Sequence, residues 1–173
     1  MSDLAAIGLV LDSWEEARTV PDFEDRLGAY IFRQYVWLHG SCGPQNSPPC
    51  SFFALAPRTK TSFGVRRNFD PTLENLKKNG IALQHIKRMI RFIHLMLYME
   101  GPPELLYQLL EDVGRRHLKY NCQPQMVPLM GQAFIQAIES FLGPEMWNEK
   151  IQSAWESIFD LIENRMTAGM SKK

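Results

Sequence analysis

The sequence predicts an all-α protein, and three observations carry that expectation. Apolar residues recur at steps of three and four through most of the chain, the period of a single helix face. Proline and glycine gather in short stretches between those blocks, where a helix has to stop. No segment alternates between apolar and polar residues for long enough to make a strand. The blocks show no internal repeat, and 173 residues is the length of one domain, so residues 1–173 read as a single unit.

The first block covers residues 3–18, with Leu4, Ile7, Leu11 and Trp14 on one face. Pro21 closes it, and Asp22 is placed to cap the next helix. There Phe23, Leu27, Tyr30, Ile31 and Tyr35 continue a buried stripe to about Trp37. The pattern then breaks. Residues 39–57 contain two glycines, four prolines and both Cys42 and Cys50, and read as an extended exposed loop, or a loop with a short helical turn, whose cysteines are either two free thiols or a reversible disulfide. Residues 58–79 are mixed, anchored by Phe63 and Phe69. Residues 80–100 give the strongest helical stripe, formed by Ile86, Met89, Ile90, Ile93 and Leu97, and Gly101-Pro102-Pro103 stops it. The next helix covers residues 104–118, with Leu106, Leu109, Leu110 and Val113 apolar. After a turn at 121–124, a helix starts between Pro124 and Pro128 and runs to Leu142, before Gly143-Pro144. The last covers residues 148–166 through Ile151, Trp155, Ile158, Phe159 and Ile162, leaving residues 167–173 as a frayed tail.

Composition narrows the function. Hydrophobic residues make up 45% and charged residues 22%, the balance of a folded globular chain. Lys plus Arg equals Asp plus Glu at 19 each, without the basic excess of a nucleic-acid binder. Asp3, Asp12, Glu15 and Glu16 do not suit a signal peptide, and the apolar runs are far shorter than a membrane span. A cytoplasmic protein with no nucleic-acid or transmembrane association is the expectation. The three cysteines are an odd number and show neither zinc nor redox-pair spacing.

Four histidines remain as candidate ligands: His39, His85, His94 and His117. At about 100° per residue, His94 lies roughly half a turn from His85, so the two face opposite sides of one helix. His85 shares its face with Met89 and sits beside Ile86. His117 closes a different helix, one turn after Val113. Two histidines on different helices, both aimed at apolar material, suit a buried metal or cofactor.

The segment Gln84-His85-Ile86-Lys87-Arg88-Met89 resembles the distal-histidine segment of globins, and Val113-Gly114-Arg115-Arg116-His117 resembles the segment that ends in the proximal histidine. The two histidines are 32 residues apart, the separation expected of neuroglobin-like members. Ser13-Trp14 resembles the first-helix tryptophan signature, while Gly28 and Ile31-Phe32 resemble the second helix. Phe63 stands where the family keeps a phenylalanine against the haem face. Phe141-Leu142-Gly143-Pro144 and Ala154-Trp155 resemble the end of the penultimate helix and the start of the last. The ordered set covers nearly the whole chain and is closest in flavour to neuroglobin-like invertebrate nerve globins. It departs from them in residues 39–57, which look like an insertion, so that Phe69 competes with Phe63 for the same role.

The resemblance implies a globin fold of seven to eight helices around a pocket for haem b, with the extended loop between the second and the distal helix. His117 would bind iron through Nε2 while its Nδ1–H donates to the carbonyl of Val113. Phe32, Phe63, Met89, Val113, Val127, Phe134 and Phe159 line an apolar slot, although each serves equally as ordinary core. Arg88 lies near the mouth, as a propionate partner or a solvated charge. If His85 also coordinates, the site is bis-histidyl and six-coordinate, which suits redox sensing, electron transfer or gas-linked signalling. If it stays back, the protein is a reversible oxygen carrier or store, with His85 donating a hydrogen bond to the ligand. A third reading is a haem-less interaction module. The expected partners are O2, CO, NO or a redox partner, with any enzymatic role a minor redox or NO-dioxygenase-type activity.

Overall fold

Seven helices and no strand are present among the described residues, 3–40, 73–78 and 80–171, of the computed structural model. They are α1 (Asp3–Arg18), α2 (Phe23–Gly40), α3 (Leu73–Lys78), α4 (Gly80–Leu97), α5 (Pro103–Leu118), α6 (Met126–Met146) and α7 (Glu149–Ser171). The all-α expectation therefore holds. The loop centred on Cys42 and Cys50, and the anchors Phe63 and Phe69, lie outside the described residues.

Helix ends obey local chemistry. Asp22 takes a left-handed φ of 55°, and its carbonyl accepts the Arg26 N–H at 2.9 Å. Glu24 and Asp25 then place negative charge at the positive end of α2, which continues to Gly40, past the expected end near Trp37. Pro103 opens α5 in the first turn, where its missing N–H costs nothing. At the other end of α5 the His117 carbonyl accepts the Tyr120 and Cys122 N–H groups around a left-handed Asn121. Gly143, at φ 69° and ψ 175°, breaks α6 before one further turn. Asn148 caps α7, its Oδ1 accepting the Lys150 and Ile151 N–H groups at 3.0 and 3.2 Å.

The C-terminal end corrects the sequence expectation. Residues 167–171 are helical, and no frayed tail begins at 167. Gly169 and Met170 are buried, which gives this end a tertiary partner that periodicity alone does not reveal.

Two apolar clusters make up the core. The larger joins Val10 and Trp14 of α1, Leu27 and Ile31 of α2, Ile86, Ile90 and Ile93 of α4, Phe134 and Ile138 of α6, and Trp155 of α7. Full burial of each such side chain contributes about 1.5–3 kcal/mol. Its polar atoms are satisfied internally: the Trp155 indole N–H donates to Ser13 Oγ at 2.9 Å, and that hydroxyl donates to the Val10 carbonyl at 3.0 Å. The smaller cluster joins Met96, Leu110, Val127, Ile162, Met166 and Met170, and Ile158 and Phe159 pack against both. Helices α5 and α7 form the most extensive pair in the bundle.

Helix α4 is anchored to α2 in two ways. Ile86 packs so tightly on Gly28 that a Cβ there would lie 3.1 Å from Ile86 Cγ2. Beside it Lys87 Nζ reaches Asp25 Oδ1 at 2.5 Å, and Lys77 of α3 stands 3.7 Å from the other carboxylate oxygen. An apolar crossing and a half-buried ion pair thus fix the rotation of α4, and with it the direction in which His85 points.

Candidate functional site

His85 sits on α4 one residue before the buried Ile86, and His117 lies in the last turn of α5. The two imidazoles meet across the space between those helices, with ring centroids 6.0 Å apart and planes inclined by 69°. Both side chains are half-buried.

Each imidazole is held in a defined state. His117 Nδ1–H donates to the Val113 carbonyl one turn back, at 2.8 Å. That bond leaves Nε2 as the ring atom with a free lone pair. Burial pushes the His85 imidazole down to about 4, and the neighbouring His117 and Arg88 push the same way. His85 is therefore neutral at physiological pH and carries a basic lone pair of its own.

The other described histidine on α4 is engaged elsewhere. The Trp14 indole N–H donates to His94 Nδ1 at 3.1 Å, Arg18 Nη1 approaches the same nitrogen at 3.3 Å, and the Tyr98 ring packs against the imidazole with centroids 4.8 Å apart and planes inclined by 50°. Arg18 in turn bonds Glu15 at 2.9 Å, and the Tyr98 hydroxyl donates to that carboxylate. His94 faces α1 across the back of its helix, as a half-turn offset from His85 requires.

The slot residues divide between the clusters. Met89, one turn after His85, is half-buried against the larger cluster. Val113 and Val127 belong with the smaller one. Phe159 leans on Gly131, where a Cβ would lie 3.0 Å from its ring. Phe134 is fully buried among Trp14, Trp155 and Phe159, with centroids at 6.0, 5.8 and 5.1 Å. Arg88 is exposed. Phe32 falls in α2 but its side chain, like all of Phe63, is outside the described residues.

Sequence reasoning named Ser13 and Gly114 only as parts of resembling segments and missed their roles, and it missed Gly169 altogether: Ser13 receives the Trp155 bond, and the two glycines, lacking side chains, bring α5 and α7 into backbone contact. The available signal was a lone glycine inside a helical pattern, which implies a packing reason.

The chain matches the Globin family over residues 50–166, and it belongs to that family. Globins generally bind haem, and this all-helical arrangement is consistent with the globin fold. The chain is similar to a neuroglobin of Danio rerio, with 24% identity covering 95% of this chain and 90% of that one. It is also similar to an anaerobic nitrite reductase of Gossypium hirsutum, with 24% identity covering 69% of this chain and 77% of that one. A globin-like protein of Aquifex aeolicus shares 32% identity over 34% of this chain and 40% of its own length. Among the described residues no helix is long and apolar enough to cross a membrane.

Proposed function

We propose that this globin holds haem b between His117 and His85 as a bis-histidyl, six-coordinate site, and works in redox sensing, electron transfer or gas-linked signalling. The observation that carries the reading is the 6.0 Å spacing of the two imidazole centres. A metal–nitrogen bond of about 2 Å on each side, with about 1 Å more from each nitrogen to its ring centre, spans about 6 Å. The donor set fits the group: His117 and His85 would hold the haem iron, which would supply one-electron redox chemistry and a place for a gaseous ligand.

The chain's own residues do the rest. The Val113 carbonyl fixes the His117 tautomer and orientation and makes Nε2 a stronger donor. Burial keeps His85 neutral, so it needs no deprotonation before it coordinates. Met89, unbranched and adaptable, fills irregular space one turn away. Val113, Val127 and Phe159, backed by Phe134, are the proposed apolar walls, Phe32 and Phe63 remain further candidates for them, and Arg88 is the proposed propionate partner. With both imidazoles holding the iron, an external ligand would enter only when His85 leaves. A coordination shell that stays the same in both oxidation states suits electron transfer and sensing better than storage.

The Gossypium hirsutum relative favours a second reading, reduction of nitrite, which would require the same release of His85. The test of the principal reading is the visible spectrum of the purified protein and of its histidine variants. A Soret band that is altered by His85→Ala and lost or strongly weakened by His117→Ala supports it. A colourless protein that takes up no added haem overturns it.

A further inference from the structure

Two glycines bring the backbones of α5 and α7 into direct contact beside His117. A Cβ built on Gly114 would lie 2.8 Å from the carbonyl carbon of Met166 and closer still to its oxygen. A Cβ built on Gly169 would lie 2.7 Å from the carbonyl carbon of Glu111, again closer to the oxygen. The contact is reciprocal, each glycine meeting the carbonyl three residues before the other glycine. The groups that would be struck are backbone, and cannot swing aside as a side-chain tip can. In place of each Cβ a Cα–H points at the facing carbonyl, the arrangement of a weak Cα–H···O bond. One and two turns earlier on α5, Arg165 of α7 reaches Glu111 at 3.9 Å and covers the Tyr107 ring at 3.7 Å. Mid-helix glycine is unfavourable relative to alanine, so close approach is the reason for both.

Gly114 has a second connection. The carbonyl that receives the His117 Nδ1–H belongs to Val113, and Val113 C=O and Gly114 Cα lie in one planar peptide unit. Whatever fixes Gly114 Cα therefore fixes the direction of that carbonyl, and the carbonyl aims the imidazole. We propose that the Gly114–Gly169 crossing is the positioning device for His117: the C-terminal end of α7 sets the orientation of the proximal ligand through the Val113–Gly114 peptide. This rests on the reading of His117 as the iron ligand. Gly114 and Gly169 are positioning residues, because neither carries a side chain that reaches the pocket. The end of the last helix, far along the chain from His117, thereby becomes a place from which the strength of the proximal bond is adjusted.

The test compares Gly114→Ala and Gly169→Ala with two controls. Gly8→Ala adds a methyl where nothing lies within 4 Å, and Met170→Ala removes a buried side chain from the smaller cluster while leaving both glycines in place. Two readouts are taken. The first is the 15N NMR spectrum of the His117 ring in haem-free protein, which reports the Nδ1–H tautomer and the exchange of its proton. The second is the ferric EPR spectrum with the rate of haem loss. Both glycine variants are expected to lose the protected Nδ1–H signal, shift the EPR g-values and release haem about tenfold to a hundredfold faster. The controls keep the wild-type signal and g-values, even where Met170→Ala lowers stability. Folded glycine variants with wild-type Nδ1–H protection and g-values overturn the proposal. If neither variant folds, deletion of residues 166–173 removes both α7 partners of the contact, Met166 and Gly169, without inserting anything; it must weaken the same signal, and an unchanged signal overturns the proposal. Should wild-type protein bind no haem, the reading of the site falls, while the NMR comparison still decides whether the crossing orients His117.

Discussion

The Trp14 indole N–H donates to His94 Nδ1 at 3.1 Å, and this bond assigns the two histidines of α4 to different tasks. A nitrogen that accepts from an indole cannot carry a proton, so His94 is the neutral tautomer with its proton on Nε2. Replacing it by leucine strands the indole donor in a largely apolar setting. His94→Leu should cost about 1–3 kcal/mol of stability, read by urea unfolding. The haem spectrum should not change. A loss of haem on this substitution would make His94 a ligand after all.

His85 and His117 should behave unequally. His117→Ala removes the imidazole whose Nδ1 is tied to Val113, and the protein should retain haem weakly or not at all. His85→Ala should keep the haem but bind carbon monoxide faster, because no internal ligand has to leave first. Stopped-flow mixing with carbon monoxide checks this, and equal rates for His85→Ala and wild type would show that His85 does not compete.

The haem-free protein should lose stability on mild acidification. His85 is pushed down to about 4 when folded, mainly by burial, whereas an exposed histidine titrates near 6.5. Between those values the unfolded chain binds a proton that the folded chain does not, so stability falls as pH drops from about 6.5 to about 4 and the effect levels off below. The upper limit is on the order of 3 kcal/mol. Denaturant titrations of wild type and His85→Leu across that range isolate it, and the variant's curve should be flatter.

Ser13→Ala should be costlier than a small surface change. It leaves the Trp155 indole N–H, buried in the centre of the larger cluster, without its acceptor. A loss of about 1–3 kcal/mol is expected, and thermal unfolding of the paired variants Ser13→Ala and Ser153→Ala, the latter exposed, makes the comparison.

Much of this architecture was legible in the sequence because it rests on local signals. The stripe Ile86, Ile90, Ile93 sets the buried face of α4 and, by rotation alone, separates His85 from His94. Pro103 and Asn148 mark helix starts by the chemistry of unpaired N–H groups. What stayed hidden depends on partners distant in sequence. Nothing local says that residues 167–171 remain helical, because that depends on Gly169 meeting Glu111. Ser13 reads as one polar residue on an apolar face until Trp155, 142 positions on, is seen to bond it. The approach of His85 to His117 is of the same kind: spacing nominates the pair, and only the packing of α4 and α5 sets their separation.

The most direct measurement is the visible absorption spectrum of the ferrous protein with no added ligand. Imidazoles at the spacing seen here should both coordinate, giving two sharp bands between the Soret band and the red end of the spectrum. One broad band in that region would mean five-coordinate iron, with His85 standing back, and would contradict the bis-histidyl site together with the sensing role built on it.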